Sequence, residues 1–201
     1  MSARAALAAA YQERDVGLTF GGAGVAVSPR LDGNLTAAID LDEHAPAELE
    51  GHSDATWGDR NVYALILTFA GAAVLHSTKK INLSVNSSME TEAIGSAKAA
   101  EAIAYAREIL RAFGTPPQGP TLITTDNLAN RQVGSGSSSP TRSRHFLRRY
   151  HTLIARVKAG EVVLKHVNDD RMPADFLTKW IDVKKLNKSV RYATGTPKAD
   201  D

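Results

Sequence analysis

The sequence predicts an α/β protein built on a mixed five-stranded sheet with helices on both faces. Three observations lead to this fold class. Short apolar runs follow one another closely between residues 48 and 76, a long helical pattern begins near residue 88, and the rest alternates between helix and strand patterns. Short connections favour antiparallel pairing of the first three strands. The element order βββαβααβα therefore implies a mixed sheet covered by helices.

The individual elements follow from local patterns. The long helix is predicted to begin at the capping-box pattern Ser87-Ser88-Met89-Glu90 and to end before Gly114 and two prolines. The last helix is predicted to open at Pro173, because proline is favoured in the first helical turn. The first predicted strand ends near Asp54, and the other four cover residues 62–70, 72–76, 122–125 and 161–166. The predicted helices cover residues 88–113, 127–133, 141–158 and 173–191.

The chain is predicted to contain one principal domain with a segment on either side of it. The N-terminal segment has the pattern of a helix, a short hairpin around glycines, and an acidic linker that contains prolines. The C-terminal segment is predicted to be a flexible tail. The three parts are residues 1–46, 47–191 and 192–201.

Composition limits the class of protein. Of the 201 residues, 43% are hydrophobic, which is enough to bury a core, and none is cysteine. Disulfide frameworks and thiolate zinc sites are therefore excluded, and an intracellular location, cytoplasmic or nuclear, is expected. The alanine-rich start is too short and too interrupted for a signal peptide or a membrane span, so no membrane partner is expected.

Charge is unevenly distributed along the chain, although the net charge is only +2. Residues 1–140 carry 10 basic and 15 acidic side chains, whereas residues 141–191 carry 13 basic and 5 acidic ones. A positive half beside an acidic half suits a protein that holds phosphates near a metal-bound carboxylate cluster. A solvated basic helix face is the alternative interpretation.

Four carboxylates lie at the start or end of predicted elements: Asp54, Glu92, Asp126 and Asp175. Helical geometry selects Glu92 over Glu90. At about 100° per residue, Glu92 falls on the side of Ala99 and Ile103, which is predicted to be buried. Glu90 has a separate use in the capping box. A buried carboxylate costs free energy unless it is paired, and a metal ion is a suitable partner for Glu92.

Each carboxylate also has an ordinary structural interpretation. Asp126 follows a buried strand, where α/β sites form, and it can equally cap the next helix. Asp175 falls in the predicted first turn of a helix, where the helix dipole favours an acid in any case. Asp54 can be a simple strand-end residue, and Asp59 is a competing candidate. The occurrence of four acids in this order and spacing favours a metal site.

The four carboxylates stand in distinctive sequence segments. These are Gly-His-Ser-Asp-Ala-Thr-Trp, Ser-Ser-Met-Glu-Thr-Glu-Ala-Ile, Thr-Leu-Ile-Thr-Thr-Asp-Asn and Met-Pro-Ala-Asp-Phe-Leu-Thr-Lys. In this order they resemble the ribonuclease H domain of copia-type LTR retrotransposon polyproteins, over roughly residues 48–190. Residues 11–20 are similar to the segment that joins polymerase to ribonuclease H in such polyproteins, which makes residues 1–46 a remnant of that connection.

The resemblance implies the ribonuclease H fold and a metal-dependent endonuclease that hydrolyses the RNA strand of RNA–DNA hybrids, leaving 5′-phosphate and 3′-hydroxyl ends. It implies two Mg²⁺ ions, with Mn²⁺ as a substitute, since oxygen donors suffice for both. Asp54 and Asp126 would hold the ions most directly, Glu92 the ion on the leaving-group side, and Asp175 the ion that activates water. The implied partners are an RNA–DNA hybrid and a reverse transcriptase domain, in cis or in trans.

Basic and polar residues are predicted to contact the backbone of the hybrid without reading its sequence. Arg144 and Arg148 share one face of the helix predicted from residue 141. The predicted contacts are Lys79, Lys80, Asn127, Arg142, Arg144, His145, Arg148 and Arg149.

One departure from the wider family concerns the loop before the last helix. Many ribonucleases H carry a histidine there, and residues 168–172 contain none. His166 precedes this loop and is interpreted as structural. Asp169 or Asp170 is expected to lie nearer the site.

Other functions are compatible with parts of the pattern. A non-catalytic nucleic-acid-binding module derived from a retroelement would keep the fold, although the presence of all four acids argues against decay. An integrase or junction resolvase would take its key glutamate late in the chain, whereas Glu92 follows the third predicted strand. A soluble scaffold with coincidental acids is the remaining alternative.

Overall fold

The computed structural model of the protein describes residues 48–134 and 144–194. Its strands are β1 (Leu49–Thr56), β2 (Val62–Phe69), β3 (Ala72–Lys80), β4 (Thr121–Thr125) and β5 (Val162–His166). Its helices are α1 (Ser88–Ala112), α2 (Leu128–Gly134), α3 (Arg144–Lys158) and α4 (Val183–Thr194). The strands form one sheet in the order β3-β2-β1-β4-β5, with antiparallel pairing among the first three and parallel pairing of β4 with β1 and β5. The predicted mixed five-stranded sheet is confirmed.

Strand β1 lies at the centre of the sheet, and β1 and its neighbour β4 bring two predicted site residues to the same edge of the sheet. It pairs in parallel with β4, with His52 opposite Thr124. Asp54 and Asp126 stand two residues further along the chain from this pair. Because parallel strands end at the same edge of a sheet, both carboxylates lie where α/β proteins commonly form their sites.

The main core lies between the sheet and helices α1 and α3. Ile103 of α1, Leu67 and Ile123 of the sheet, and Leu153 of α3 are almost completely buried in it. Each such side chain contributes about 1.5–3 kcal/mol to folding relative to leaving it exposed. This packing fixes the face of α1 that meets the sheet, and with it the direction of the Glu92 side chain.

The opposite face of the sheet is covered by the segment that follows β5. Ile66 points to that face because successive side chains of a strand alternate between its two sides. Met172 and Ala174 pack against Ile66, and all three are almost fully buried. The chain is thereby held against the sheet immediately before Asp175.

The prediction that the last helix covers residues 173–191 is wrong for the first half of that range. Residues Asp175–Leu177 form only a short 3₁₀ turn, and α4 begins at Val183 instead of at Pro173. The side chain of Asp182 caps α4, since its Oδ1 accepts a hydrogen bond from the Lys185 backbone N–H at 2.9 Å. Between these elements, Thr178 and Lys179 turn to the acidic site, and those long-range contacts outweigh the local helix preference.

The other predicted ends of strands and helices lie closer to those in the structure. Strand β3 continues to Lys80, beyond the predicted end at His76, because its extension pairs with β2. Helix α4 continues to Thr194, three residues into the segment predicted to be a tail. The predicted helix, hairpin and linker of residues 1–46 and the start of the helix predicted from residue 141 lie outside the described residues. In the described part of the chain, no helix combines the length and apolar character that crossing a bilayer requires.

Candidate metal centre

Asp54 and Asp126 form the base of an acidic site at the edge of the sheet. Asp54 is fully buried, and its Oδ2 accepts a hydrogen bond from the hydroxyl of Thr178. The side chain of Asp126 is 15% exposed, so this carboxylate faces the opening of the site. His166 donates a hydrogen bond from Nε2 to the backbone carbonyl of Asp126 at 3.0 Å, which supports the interpretation of His166 as structural.

Glu92 enters the site from α1. Ser96, one turn further along α1, is hydrogen bonded to Ser53 of β1 at 2.9 Å, which ties the helix to the central strand. Glu92 is only 5% exposed, and its Oε1 accepts a hydrogen bond from the Ala55 backbone N–H at 3.2 Å. Its Oε2 is also buried but has no hydrogen-bond partner among the described residues. Burying a carboxylate oxygen without a hydrogen-bond partner costs free energy unless a cation binds to it.

The choice between Glu90 and Glu92 follows the predicted geometry. Ser87 is the N-cap of α1, and its hydroxyl accepts a hydrogen bond from the Glu90 backbone N–H at 3.3 Å. The Glu90 carboxylate accepts from the backbone N–H of Asn86 at 2.9 Å, one residue before the expected partner. Glu90 therefore stabilises the start of the helix, whereas Glu92 points inwards.

Asp175 lies on the other side of Asp126, together with Asp169. Asp175 is fully buried, whereas the Asp169 side chain is 66% exposed. Two lysines neutralise this pair. Lys179 Nζ lies 3.1 Å from Asp175 Oδ1, and Lys185 Nζ lies 2.6 Å from Asp169 Oδ2 and also contacts Asp175 Oδ2.

The carboxylates form two groups that share one residue. Oxygens of Asp54, Glu92 and Asp126 all lie within 4.8 Å of one another. Oxygens of Asp126, Asp169 and Asp175 also lie within 4.8 Å of one another. Since every donor is a carboxylate oxygen, the groups fit hard divalent cations such as Mg²⁺. The unpartnered Glu92 Oε2 supports that fit in the first group.

Burial and mutual repulsion disfavour the charged forms of these acids. Burial raises the pKa of Asp54 to about 7, although the Thr178 hydrogen bond and the Lys179 ammonium oppose the rise. Burial raises the pKa of Glu92 to about 9, and the charges of Asp54 and Asp126 add to this effect. Burial also raises the pKa of Asp126. A cluster that resists ionisation in this way gains free energy when a divalent cation neutralises it.

We expect the metal-free protein to lose stability between pH 7 and pH 9. Folded Asp54 keeps its proton up to about pH 7 and folded Glu92 up to about pH 9, whereas in the unfolded chain, with ordinary pKa values of 3.8 and 4.5, both acids have lost their protons, so Glu92 causes the loss between pH 7 and pH 9. Their contribution is complete below the unfolded values and disappears as pH rises through about 7 and about 9. The expected slope is about 1 kcal/mol per pH unit, from the linkage of proton binding to folding. His52, whose pKa burial lowers to about 4, is neutral in both states in this range.

Urea denaturation in the presence of a chelator would measure this slope. Glu92→Gln should flatten it above pH 8, because the group with the highest raised pKa is then absent. Saturating Mg²⁺ should flatten it as well, because the ion replaces the retained protons. An unfolding free energy that rises with pH over the same range would contradict the prediction.

The predicted nucleic-acid contacts are only partly described. Lys79 and Lys80 are exposed at the end of β3. The side-chain oxygen of Asn127 accepts a hydrogen bond from the Asn130 backbone N–H at 2.8 Å and so caps α2. Arg142 lies outside the described residues, as do the side chains of Arg144, His145, Arg148 and Arg149 on α3. Binding of nucleic acid by all of these residues stays a prediction.

Sequence reasoning missed several residues of the site. Thr178 and Lys179 belong to the segment Met-Pro-Ala-Asp-Phe-Leu-Thr-Lys around Asp175, but the sequence predicted no role for either residue. Lys185 is brought in by α4 and has no distinguishing local signal. Asn130 is fully buried under the site, and its side chain contacts α1, β4 and α3. A polar residue on the inner side of a short helix was the only hint of that role.

No protein-family model matches the chain, and no curated protein matches it. Solved structures of ribonuclease H domains do resemble it. The N-terminal ribonuclease H domain of Rv2228c from Mycobacterium tuberculosis, solved as a fusion with maltose-binding protein, has a TM-score of 0.51 at 12% identity, and the match covers 73% of this chain and 99% of that one. Ribonuclease H1 from Halobacterium salinarum NRC-1 has a TM-score of 0.49 at 16% identity, covering 70% and 98%. The prototype foamy virus protease-reverse transcriptase has a TM-score of 0.43 at 11% identity, covering 82% and 23%.

The similarity to the mycobacterial domain extends over nearly the whole of that domain. Together with the mixed five-stranded sheet, it shows that this chain has a ribonuclease H-like fold. At this level of identity the similarity concerns the fold, and the chemistry has to be argued from the carboxylates themselves.

Proposed function

We propose that the protein is a ribonuclease H that hydrolyses the RNA strand of RNA–DNA hybrids with two divalent cations. The observation that carries this proposal is the position of Asp126 between two groups of carboxylate oxygens, each with a spread of no more than 4.8 Å. A carboxylate shared by two cation positions can hold two ions about 4 Å apart, which is the separation that two-metal phosphodiester hydrolysis uses. The proposal is supported by the positions of Asp54 and Asp126 near the ends of the parallel strands β1 and β4.

Each carboxylate has a separate task in this proposal. Asp54, Glu92 and Asp126 would hold the ion on the leaving-group side, and Asp126 and Asp175 would hold the ion beside the attacking water. When bound, such ions supply an ionised water and stabilise the charge that develops on the leaving oxygen. The protein contributes fixed positions for the donors. Thr178 orients Asp54 through its hydroxyl, and His166 holds the backbone of Asp126.

The hybrid is proposed as the substrate because the chain carries basic residues that could bind phosphates in addition to the acidic site. Lys79 and Lys80 are exposed at the edge of the sheet, and α3 carries several arginines. Lysine and arginine contacts to phosphates position a duplex without reading its sequence. Origin from a copia-type retroelement, with a reverse transcriptase domain as partner in cis or in trans, is part of the proposal and rests on the order and composition of the four segments around Asp54, Glu92, Asp126 and Asp175.

Cleavage of a labelled RNA–DNA hybrid in Mg²⁺ tests the proposal, with single-stranded RNA, duplex RNA and duplex DNA as parallel substrates. We expect cleavage of the hybrid alone, with 5′-phosphate ends, and its loss in Asp126→Asn. Asp59→Asn is the matched control, because Asp59 is exposed and lies outside both carboxylate groups. This variant should cleave like the wild type.

Other outcomes select other functions. Cleavage of duplex DNA would point to an integrase or resolvase type of nuclease. Hybrid binding without cleavage, in wild type and Asp126→Asn alike, would point to a non-catalytic nucleic-acid-binding module. Either result would overturn the proposed reaction while leaving the fold assignment intact.

A further inference from the structure

The ammonium of Lys179 is surrounded by carboxylates from different parts of the fold. Its Nζ lies 3.1 Å from an oxygen of Asp175, 3.4 Å from Asp169, and 3.5 Å from both Asp54 and Asp126. The Lys179 side chain is 32% exposed, so it reaches these acids from the open side of the site. One lysine therefore serves as counter-ion to acids from β1, from the end of β4 and from the segment after β5.

The two carboxylate groups differ in how their charge is balanced. The Asp126, Asp169 and Asp175 group has two ammonium groups, because Lys185 also pairs with Asp169 and Asp175. In the part of the chain that the structure describes, Glu92 has no ion-pair partner, and its buried Oε2 lacks a hydrogen bond. In the first group the Lys179 ammonium lies 3.5 Å from Asp54 and Asp126, whereas in the second group it lies 3.1 Å from Asp175 and Lys185 lies 2.6 Å from Asp169. The second group is therefore the more strongly paired with ammonium groups of the protein.

We propose that Lys179 is a built-in competitor for the second divalent cation, so that the two ions bind in order. This inference rests on the proposed two-cation function. The first ion binds among Asp54, Glu92 and Asp126. The second ion binds among Asp126, Asp169 and Asp175 only as the Lys179 ammonium withdraws from them, which makes Lys179 a positioning residue for the loading of the site.

Competition follows from the sizes of the two cations and their shared ligands. Mg²⁺ holds its oxygen ligands at about 2.1 Å and tolerates little distortion of its octahedral shell. An ammonium at hydrogen-bonding distance from the same oxygens would occupy that shell and repel the ion. The lysine stem is flexible and its end is partly exposed, so withdrawal does not require the backbone to move. Lys185 competes less, because it does not reach Asp126.

Calorimetric titration with Mn²⁺ alone tests this inference in the absence of nucleic acid. Wild type should bind one ion more tightly than the other. Lys179→Met should bind the weaker ion about tenfold more tightly, equivalent to about 1.4 kcal/mol, and bring the two affinities closer together. Lys185→Met should change the weaker affinity in the same direction by a smaller factor. Lys184→Met is the matched control, because Lys184 is exposed on the same helix and should behave like the wild type.

Thermal unfolding with and without Mn²⁺ provides a second measurement. Removal of the Lys179 charge leaves the acids repelling one another, so Lys179→Met should melt below wild type without the ion and gain more from adding it. If Lys179→Met does not fold in the absence of ions, Lys185→Met decides the question by the same titration. Unchanged or weaker binding of the second ion in these variants would overturn the inference.

The result separates this inference from the proposed function. A wild-type protein that binds no Mn²⁺ would overturn both. A wild-type protein that binds two ions and cleaves the hybrid, with Lys179→Met unchanged in its second affinity, would overturn only the role of Lys179. Because binding and unfolding are the measurements, catalytic failure of a variant does not affect the conclusion.

Discussion

Asp54→Asn is expected to lose hybrid cleavage by a factor of at least about 10³, or about 4 kcal/mol of transition-state stabilisation, while the protein stays folded. Asparagine has the same shape and keeps an acceptor for the Thr178 hydroxyl. It removes the negative charge from one of the three carboxylates proposed to hold the first ion. Since burial raises the pKa of Asp54 to about 7, the ionised acid is itself unfavourable in the metal-free protein.

We therefore expect Asp54→Asn to lower the rate of hybrid cleavage without lowering the free energy of unfolding. At pH 8 without divalent cations, the unfolding free energy of Asp54→Asn should equal or exceed that of wild type, as measured by urea denaturation. Single-turnover cleavage of the hybrid measures the rate, and Asp59→Asn serves as the control in an exposed loop of the same strand pair. A loss of less than tenfold in a folded protein would show that Asp54 does not hold a catalytic ion.

Asn130→Ala is expected to lower the unfolding free energy by about 2–4 kcal/mol, because it leaves several buried polar groups short of a partner. Asn130 is fully buried. Its Nδ2 donates to Ser96 Oγ at 2.8 Å, to Thr125 Oγ1 at 3.3 Å and to the Glu92 carbonyl at 3.4 Å. Its Oδ1 accepts from the Tyr150 hydroxyl at 3.0 Å.

The hydrogen bonds of Asn130 on α2 join this helix to α1, α3 and the end of β4. Their loss should also make the position of Glu92 on α1 less fixed. Chemical denaturation of wild type, Asn130→Ala and Asn187→Ala would measure the effect. Asn187 is exposed on α4, and its substitution should change stability by less than about 0.5 kcal/mol. A change in Asn130→Ala as small as that of the control would show that surrounding groups or water replace the amide.

Local rules were sufficient for several parts of the site. The N-cap at Ser87 and the helical period of α1 together predicted that Glu90 serves the helix start while Glu92 points inwards. The strand-forming residues before Asp126 predicted a buried strand, and β4 does end directly before that residue. These features depend on residues that are close in sequence, which is why the pattern alone predicts them.

Local rules failed where distant residues compete with local preference. Pro173 predicted a helix over residues 173–191, but Asp175–Leu177 form only a short 3₁₀ turn and α4 begins at Val183. The hydroxyl of Thr178 binds Asp54, which is 124 residues away in the chain. A tertiary hydrogen bond to a buried acid stabilises the turn more than continued helix would, and no local pattern contains that information.

The element order, the mixed sheet and the four acids at element ends follow from the sequence, because periodicity and capping are properties of neighbouring residues. How those acids are grouped, and how their charge is balanced, depends on the tertiary structure. That structure has Asp126 in both groups of oxygens, gives Glu92 Oε2 no hydrogen-bond partner among the described residues, and brings Lys179 and Lys185 to Asp175. Charge balance at a buried site depends on distances between residues far apart in the chain, and only folding sets those distances.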